Sequence, residues 1–384
     1  MNKTLPYSRH LIDEEDIRAV VEVLKSDYLT QGAKTGEFEE ALAKYCGSRH
    51  AVVFSSGTAA LHGAYFSAGI GPGDEVITSP MTFAATANAA LYLGAKVVFV
   101  DIEADTGNLN PALLADAVTD KTKAVVPVHY AGQPADMDPI LEIARRRGIT
   151  VIEDACHAIG ASYKGRKIGS ISDMTVVSFH PVKPITTGEG GAVLTNSGEF
   201  AGKLRMFRTH GITKEQGSFR RRPHGAWHYE MHLLGYNYRM TDIQAALGIS
   251  QIKKLDGFIE KRRGIASFYK QRFSAGGRFE LLEERPYAGS SLHLFPLLLY
   301  NESIEKKAEI FTRLKEEKRL GVQVHYIPVY MHPYYLGLGY REGLCPAAED
   351  FYKRALSIPI HQSMQLSDAE QVAEAIEEVL GPAD

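Results

Sequence analysis

The sequence predicts an α/β fold, a mostly parallel central sheet joined to a smaller C-terminal α/β domain. Three observations carry this. Apolar runs of strand length recur between amphipathic segments of helix length through the first half, the pattern of strands covered on both faces. After Leu247 the texture changes to longer helical segments with sparse strands. At 384 residues the chain exceeds what one small core organises. In order, Glu14 to Ser26 and Thr35 to Tyr45 carry helical periodicity, His50 to Phe54 reads as a strand, and Thr58 to about Ala68 as a helix. Strands follow at Glu75 to Thr78, Lys96 to Asp101, Lys123 to Val128 and Thr150 to Asp154, with helical segments at Asn108 to Val118 and Met137 to Arg147. Met174 to Phe179 and Gly191 to Thr195 are further buried strands. Beyond them, Ile249 to Phe273 is expected as one long helix, Leu292 to Leu299 as strand-like, and Ser303 to Glu317 and Ser367 to Leu380 as helices. The boundary falls near residue 250, giving a large domain over 1–250 and a small one over 251–384. Gln216 to Tyr229, rich in Arg and His, reads as a surface loop or flap.

Bulk composition narrows the function. Hydrophobic residues at 45%, charged residues at 23% and a net charge of -3 are ordinary globular values and give no reason to expect nucleic acid or an anionic membrane as partner. Cys46, Cys156 and Cys345 show no CxxC spacing, so neither a disulfide framework nor a metal site is indicated, and a cytoplasmic setting is expected. The N-terminal residues Met1 to Tyr7 lack an apolar signal core, and no run has bilayer-spanning length.

The most informative stretch is Ser178-Phe-His-Pro-Val-Lys183-Pro-Ile-Thr-Thr-Gly-Glu-Gly-Gly191, which hangs Lys183 between two buried strands. Pro184 restricts the backbone of Lys183, and a lysine amine desolvated at such a place can attack a carbonyl to form a Schiff base. A lone lysine in a loop would otherwise be a solvated surface residue. Asp154 closes a strand, where a carboxylate could pair with a protonated ring nitrogen or cap the next helix. Phe54-Ser-Ser-Gly-Thr58 ends a strand and opens a helix, a setting for a phosphate or an ordinary N-cap; it is not a Walker loop. Phe83, just past a strand, could stack on an aromatic ring or lie in the core.

Taken together, Ser55-Ser-Gly-Thr58, Thr82-Phe-Ala-Ala-Thr-Ala-Asn88, Glu153-Asp-Ala-Cys-His157, Ser178 to Lys183 with Gly188 to Gly191, and Gly235-Tyr-Asn-Tyr-Arg-Met240 resemble the DegT/StrS family of pyridoxal-phosphate sugar aminotransferases, along essentially the whole chain. The resemblance implies the aspartate aminotransferase fold (fold type I), with pyridoxal 5′-phosphate (PLP) bound by the large domain. It implies that Lys183 is joined to the cofactor and shuttles a proton, that Asp154 pairs with the ring nitrogen and that His157 contacts the phenolic edge. Gly57, Thr58 and Ser178 would bind the phosphate, Phe83 would stack on the ring, and Asn237 would reach the phosphate from the neighbouring subunit of a homodimer. Tyr7, Thr30, Gly32, Tyr326, Tyr330 and His332 lie in segments that approach the sugar nucleotide in relatives. The wording around Lys183 and Leu5-Pro-Tyr-Ser-Arg9 is most similar to members that aminate C4 of a UDP-linked 4-keto-6-deoxy-N-acetylhexosamine for pseudaminic acid, with L-glutamate as the expected donor. Three readings compete. A PLP-dependent sugar dehydratase is disfavoured because that branch replaces the lysine by histidine, and a non-catalytic regulatory relative because the chemical set is complete. A nicotinamide oxidoreductase lacks its G-x-G-x-x-G after the first strand.

Overall fold

The computed structural model describes residues 4–274, 278–300 and 302–381, so the outermost residues of the two expected domains, 1–3 and 382–384, lie outside it. Seven apolar segments form the central sheet: β1 (His50–Phe54), β2 (Glu75–Thr78), β3 (Lys96–Phe99), β4 (Thr122–Val126), β5 (Thr150–Asp154), β6 (Met174–Ser178) and β7 (Gly191–Thr195). Their order is β1-β7-β6-β5-β4-β2-β3. From β3 to β6 every pairing is parallel, while β7 runs antiparallel to both β1 and β6. Every residue of β6 and β7 is buried, as expected of strands covered on two faces.

The covering helices divide between two apolar layers. On one face pack α3 (Gly57–Ser67), α4 (Ala85–Tyr92) and α6 (Gly198–Phe207), through small residues such as Ala60, Ala64, Ala89 and Ala201 that let helix and sheet approach closely. On the other pack α2 (Ala33–Cys46), α5 (Met137–Arg147), α7 (Asp242–Ile252) and the start of α8 (Leu255–Ser274), through Phe38, Leu42, Ile140, Ile252 and Phe258. α1 (Glu14–Leu24) opens on a capping box between Asp13 and Asp16 and lies against α7. A third apolar layer joins the far half of α8 to a three-stranded antiparallel sheet of β8 (Phe279–Leu281), β9 (Phe295–Leu299) and β10 (Ala355–Ile358), covered by α9 (Lys307–Glu316) and α10 (Leu366–Leu380).

Four segments differ from expectation. The helix expected over Ile249 to Phe273 is two helices, broken after Ile252, although nothing in Lys253-Lys254 disfavours helix by propensity. The break coincides with Lys254 reaching Asp13 (2.5 Å) and Asp16 (3.0 Å), a tertiary contact that no local pattern announces. The strand expected from Leu292 starts only at Phe295, because Leu292 has φ 53° and cannot extend. Asn108 to Val118 condenses to a short turn of helix over Pro111–Leu113 and Leu114–Ala117. The helix expected over Ser303 to Glu317 is interrupted at Lys306. The flap Gln216 to Tyr229 lies between the two-residue strands Ile212–Thr213 and Glu230–Met231 and leaves Trp227 78% exposed.

The reversed strand β7 positions the site. Its first residue, Gly191, is the register partner of both Phe54, the last residue of β1, and Ser178, the last residue of β6. The segments leaving β1 and β6 therefore emerge side by side. A side chain at Gly191 would collide with Gly57 N and Ser56 O, each 2.7 Å from its Cβ, so this crossing requires glycine.

Candidate active site

The carboxyl ends of β5 and β6 open into a cavity of about 650 Å³, the usual ligand position in open parallel sheets. Ser56 caps α3, its Oγ accepting from Ala59 N (3.1 Å), so Gly57 and Thr58 stand at the positive end of that helix. Ser56, Gly57, Thr58 and Ser178 all line the cavity, a cup of hydroxyls and backbone donors suited to a phosphate.

Adjacent carboxylates at the end of β5 point to opposite faces, as strand geometry requires. Asp154 faces the cavity at 4% exposure; it accepts from Thr86 Oγ1 (2.5 Å) and Cys156 N (3.1 Å). Glu153 faces the core, bonded to His129 Nε2 (2.8 Å), Ser172 Oγ (2.7 Å) and Thr175 Oγ1 (2.8 Å). His129 Nδ1 accepts from Ala135 N (3.1 Å), which leaves the ring proton on Nε2 to be donated to Glu153. Burial alone would raise the Glu153 pKa, but His129, Ser172 and Thr175 outweigh it and hold the carboxyl below its ordinary value.

Lys183 enters from the loop after β6, in a turn closed by its own N–H donating to His180 O (2.9 Å). Burial lowers its pKa, with Cys156 and Asp154 acting in the opposite sense, so a larger fraction of this amine is neutral than of a surface lysine. His157 forms a hydrogen bond between Nε2 and the Tyr326 hydroxyl (2.9 Å), while its Nδ1 is buried with no partner among the described residues. Phe83 leaves its ring 64% exposed in the cavity wall, 6.4 Å from the ring of Tyr326.

Of the residues singled out in the sequence, Lys183, Asp154, Gly57, Thr58, Ser178, His157, Phe83, Tyr7 and Tyr326 thus converge on one cavity. The others do not line it. Tyr330 is fully buried in the core and donates its hydroxyl to Glu349 (2.6 Å), and His332 borders a separate depression with Tyr92 and Tyr334. Gly32 is tied to Asp242 (2.5 Å), and Thr30 and Asn237 are exposed. The cavity also holds Thr86, His293 and His325, which sequence reasoning passed over. Thr86 had a faint signal in its one-turn spacing from Thr82; His293 sits alone in an apolar run and reads as an ordinary core residue.

Residues 10–377 match the DegT/DnrJ/EryC1/StrS aminotransferase family. The chain belongs to this family. It is 44% identical to the spore coat polysaccharide biosynthesis protein SpsC of Bacillus subtilis, covering 100% of this chain and 99% of the relative. It is 45% identical to a UDP-4-amino-4,6-dideoxy-N-acetyl-beta-L-altrosamine transaminase of Campylobacter jejuni, covering 98% and 97%. Among solved structures, PseC of Helicobacter pylori, an aminotransferase of pseudaminic acid biosynthesis, superposes with a TM-score of 0.92 at 35% identity, covering 98% of this chain and 99% of that one. A sugar aminotransferase of Streptococcus pneumoniae in its PLP form gives 0.91 at 31% identity, covering 98% of each. The protein is therefore an aminotransferase of the aspartate aminotransferase fold, and PLP is its cofactor.

The residues present fit that group. A hydroxyl-lined helix start, a buried carboxylate, a lysine amine of lowered pKa and an uncovered phenyl ring surround one cavity, and His157 leaves a buried nitrogen unsatisfied there. The described residues contain no cluster placed to hold a metal and no helix long and apolar enough to cross a membrane.

The buried histidines make stability depend on pH. Burial holds His157 and His293 well below the ordinary value and pushes His325 down to about 3. Unfolded, they would titrate at about 6.5, so between that value and the folded ones the unfolded chain binds more protons, and stability is lost as pH falls. Each contributes at most about 1.4 kcal/mol per pH unit in that window. Calorimetry at pH 7.5, 6 and 5 should give a falling melting temperature, and His325→Asn a shallower fall; a rise on acidification would contradict the assignment.

Proposed function

We propose that the protein transfers an amino group from L-glutamate to C4 of a UDP-linked 4-keto-6-deoxy-N-acetylhexosamine, the 4-aminotransferase step toward pseudaminic acid, in the cytoplasm. The observation that carries this reading is the convergence of Lys183, Asp154 and the phosphate cup on one cavity, in a chain similar along its whole length to a transaminase named for such a nucleotide sugar. Similarity to SpsC, of spore coat polysaccharide biosynthesis, keeps another nucleotide-sugar 3- or 4-aminotransferase as the second reading.

When bound, PLP supplies the electron sink for the carbanion left by deprotonation and carries the amino group between the two substrates. In this assignment residues 1–250 are the cofactor-binding domain and 251–384 the smaller one. Gly57, Thr58 and Ser178 hold the phosphate, Phe83 covers the ring face, and His157 contacts the phenolic oxygen. Asp154, oriented by Thr86, holds a proton on the ring nitrogen. Lys183 Nζ, free as the neutral amine, takes up the proton leaving the donor's α-carbon. Tyr7 and Tyr326 face the sugar. Mass spectrometry after incubation with glutamate and a small panel of 4-keto and 3-keto nucleotide sugars tests the assignment. Amination of a 3-keto sugar alone would replace it with the second reading.

The active unit is taken as a homodimer in which Asn237, exposed and outside its own chain's cavity, completes the partner's phosphate cup. Exposed Trp227, Tyr229, Met231 and Leu234 nearby offer apolar surface for the pairing. If Asn237 acts in trans, mixing Lys183→Ala chains with inactive Asn237→Ala chains yields heterodimers with one intact site, and random exchange restores roughly a quarter of wild-type activity. With exchange verified, no recovery would refute the shared site.

A further inference from the structure

His293 stands beside the reacting amine. Its Nε2 lies 3.5 Å from Lys183 Nζ, at the outer limit of a hydrogen bond, and the residue is 2% exposed. Its Nδ1 is buried with no partner among the described residues. Orphaned buried N–H groups are rarer than unsatisfied acceptors, so the proton belongs on Nε2, where Lys183 can receive it. A donor aimed at an amine is satisfied only while that amine keeps its lone pair.

The segment bearing His293 is held in place at visible conformational cost. Leu292, before it, has φ 53°, and Ala131, opposite, has φ 56°, both uncommon for residues with side chains. Ser291 N donates to Gly132 O (3.1 Å), Leu294 N donates to Ala131 O (3.2 Å), and Ser291 Oγ donates to His157 O (2.8 Å). Gly132 has φ 99°, and a Cβ there would lie 2.9 Å from His293 N, so this contact also demands glycine.

The principal clamp is Arg262, on α8, which is 0% exposed. Its Nη1 donates to Leu292 O (3.2 Å), His293 O (3.2 Å) and Ile360 O (2.9 Å), and its Nη2 to Gln362 Oε1 (2.9 Å). None of these partners is a carboxylate, so a cation is buried against carbonyls alone, an expensive arrangement for merely tying backbone together. Its bonds to the carbonyls of Leu292 and His293 fix the peptide that aims the imidazole. The ionisable groups acting on His293 are Lys183, His157, Arg262 and His325, while Cys156 and Asp154 act on Lys183.

We propose that His293 is a second catalytic residue, which donates Nε2–H to Lys183 Nζ and keeps that amine a free base, and that Arg262 is the positioning residue that holds it there. The inference rests on Lys183 being the reacting amine, which borohydride trapping decides separately. The test uses the full chain freed of cofactor, labelled by acetic anhydride across a pH series, with acetylation of the Lys183 peptide measured by mass spectrometry. His293→Phe should raise the midpoint by about half to one pH unit, or about 3- to 10-fold slower labelling below it, the size of one net hydrogen bond. His293→Gln, which retains a donor, should restore the wild-type midpoint. Arg262→Met should shift the midpoint in the same direction, and the double variant no further than His293→Phe alone. If Arg262→Met does not fold, Arg262→Lys, which keeps the charge but loses the fork, is read in the same way. An unchanged or lowered midpoint in folded His293→Phe overturns the role of His293. A lowered melting temperature with an unmoved Lys183 midpoint in the Arg262 variant reduces Arg262 to a structural residue.

Discussion

Lys183→Ala is expected to abolish turnover, by about 10⁴-fold or more, while the protein stays folded and still takes up cofactor. The loop does not depend on this side chain for its shape. Phe179 N donates to Gly190 O (2.9 Å) and Thr187 N to Phe179 O (3.0 Å), bonds that the substitution leaves alone. The cup proposed for the phosphate is likewise built from Ser56, Gly57, Thr58 and Ser178, on other parts of the chain. Borohydride reduction of the loaded wild type, followed by peptide mapping, should place the label on the Lys183 peptide, and the variant should take none. The visible absorption of the lysine-linked cofactor should vanish with it. A label on any other lysine would remove Lys183 from the centre of the mechanism.

Asp154→Asn should retain cofactor and lose activity by about a hundredfold or more, the scale on which single preorganised electrostatic partners act. The two side chains are nearly the same size, and the amide oxygen can still accept from Thr86, which now donates to Asp154 across 2.5 Å. What the amide lacks is the negative charge that, in the proposed assignment, keeps the cofactor's ring nitrogen protonated. Steady-state rates with bound cofactor quantified separate this from a loss of binding. Near-normal rates would show that the carboxylate only caps the turn at Cys156.

The strands of the sheet were legible because their signal is local: β1, β2, β5 and β7 are apolar runs bounded by turn residues, and they occur where the pattern puts them. That Lys183, Asp154, Gly57 and Ser178 would come together at one cavity was legible for a related reason, since each follows or ends such a run and the carboxyl ends of parallel strands face one side. His293 was not. It depends on a reversal of φ at Leu292 that a bulky aliphatic residue does not advertise, and on an arginine from a distant helix. The break between α7 and α8 was hidden in the same way, because it coincides with ion pairs to a segment far away in sequence. Thr30, Gly32 and Asn237 mark a different boundary of sequence reasoning. A family pattern carries positions, but the cavity of one chain does not contain them.

The two carboxylates that close β5 are built into the sheet. Glu153 is bonded to His129 in the interior, and its neighbour Asp154 is buried at the end of the same strand. Substrates must nevertheless enter, exchange and leave through that same space. The aromatic residues Phe83, Tyr7 and Tyr326, which also line that space, belong instead to loops and a chain end. The carboxylate is thus built into the sheet while the aromatic lining comes from segments that tolerate change, so substitutions at those aromatics can reshape the cavity without disturbing Asp154.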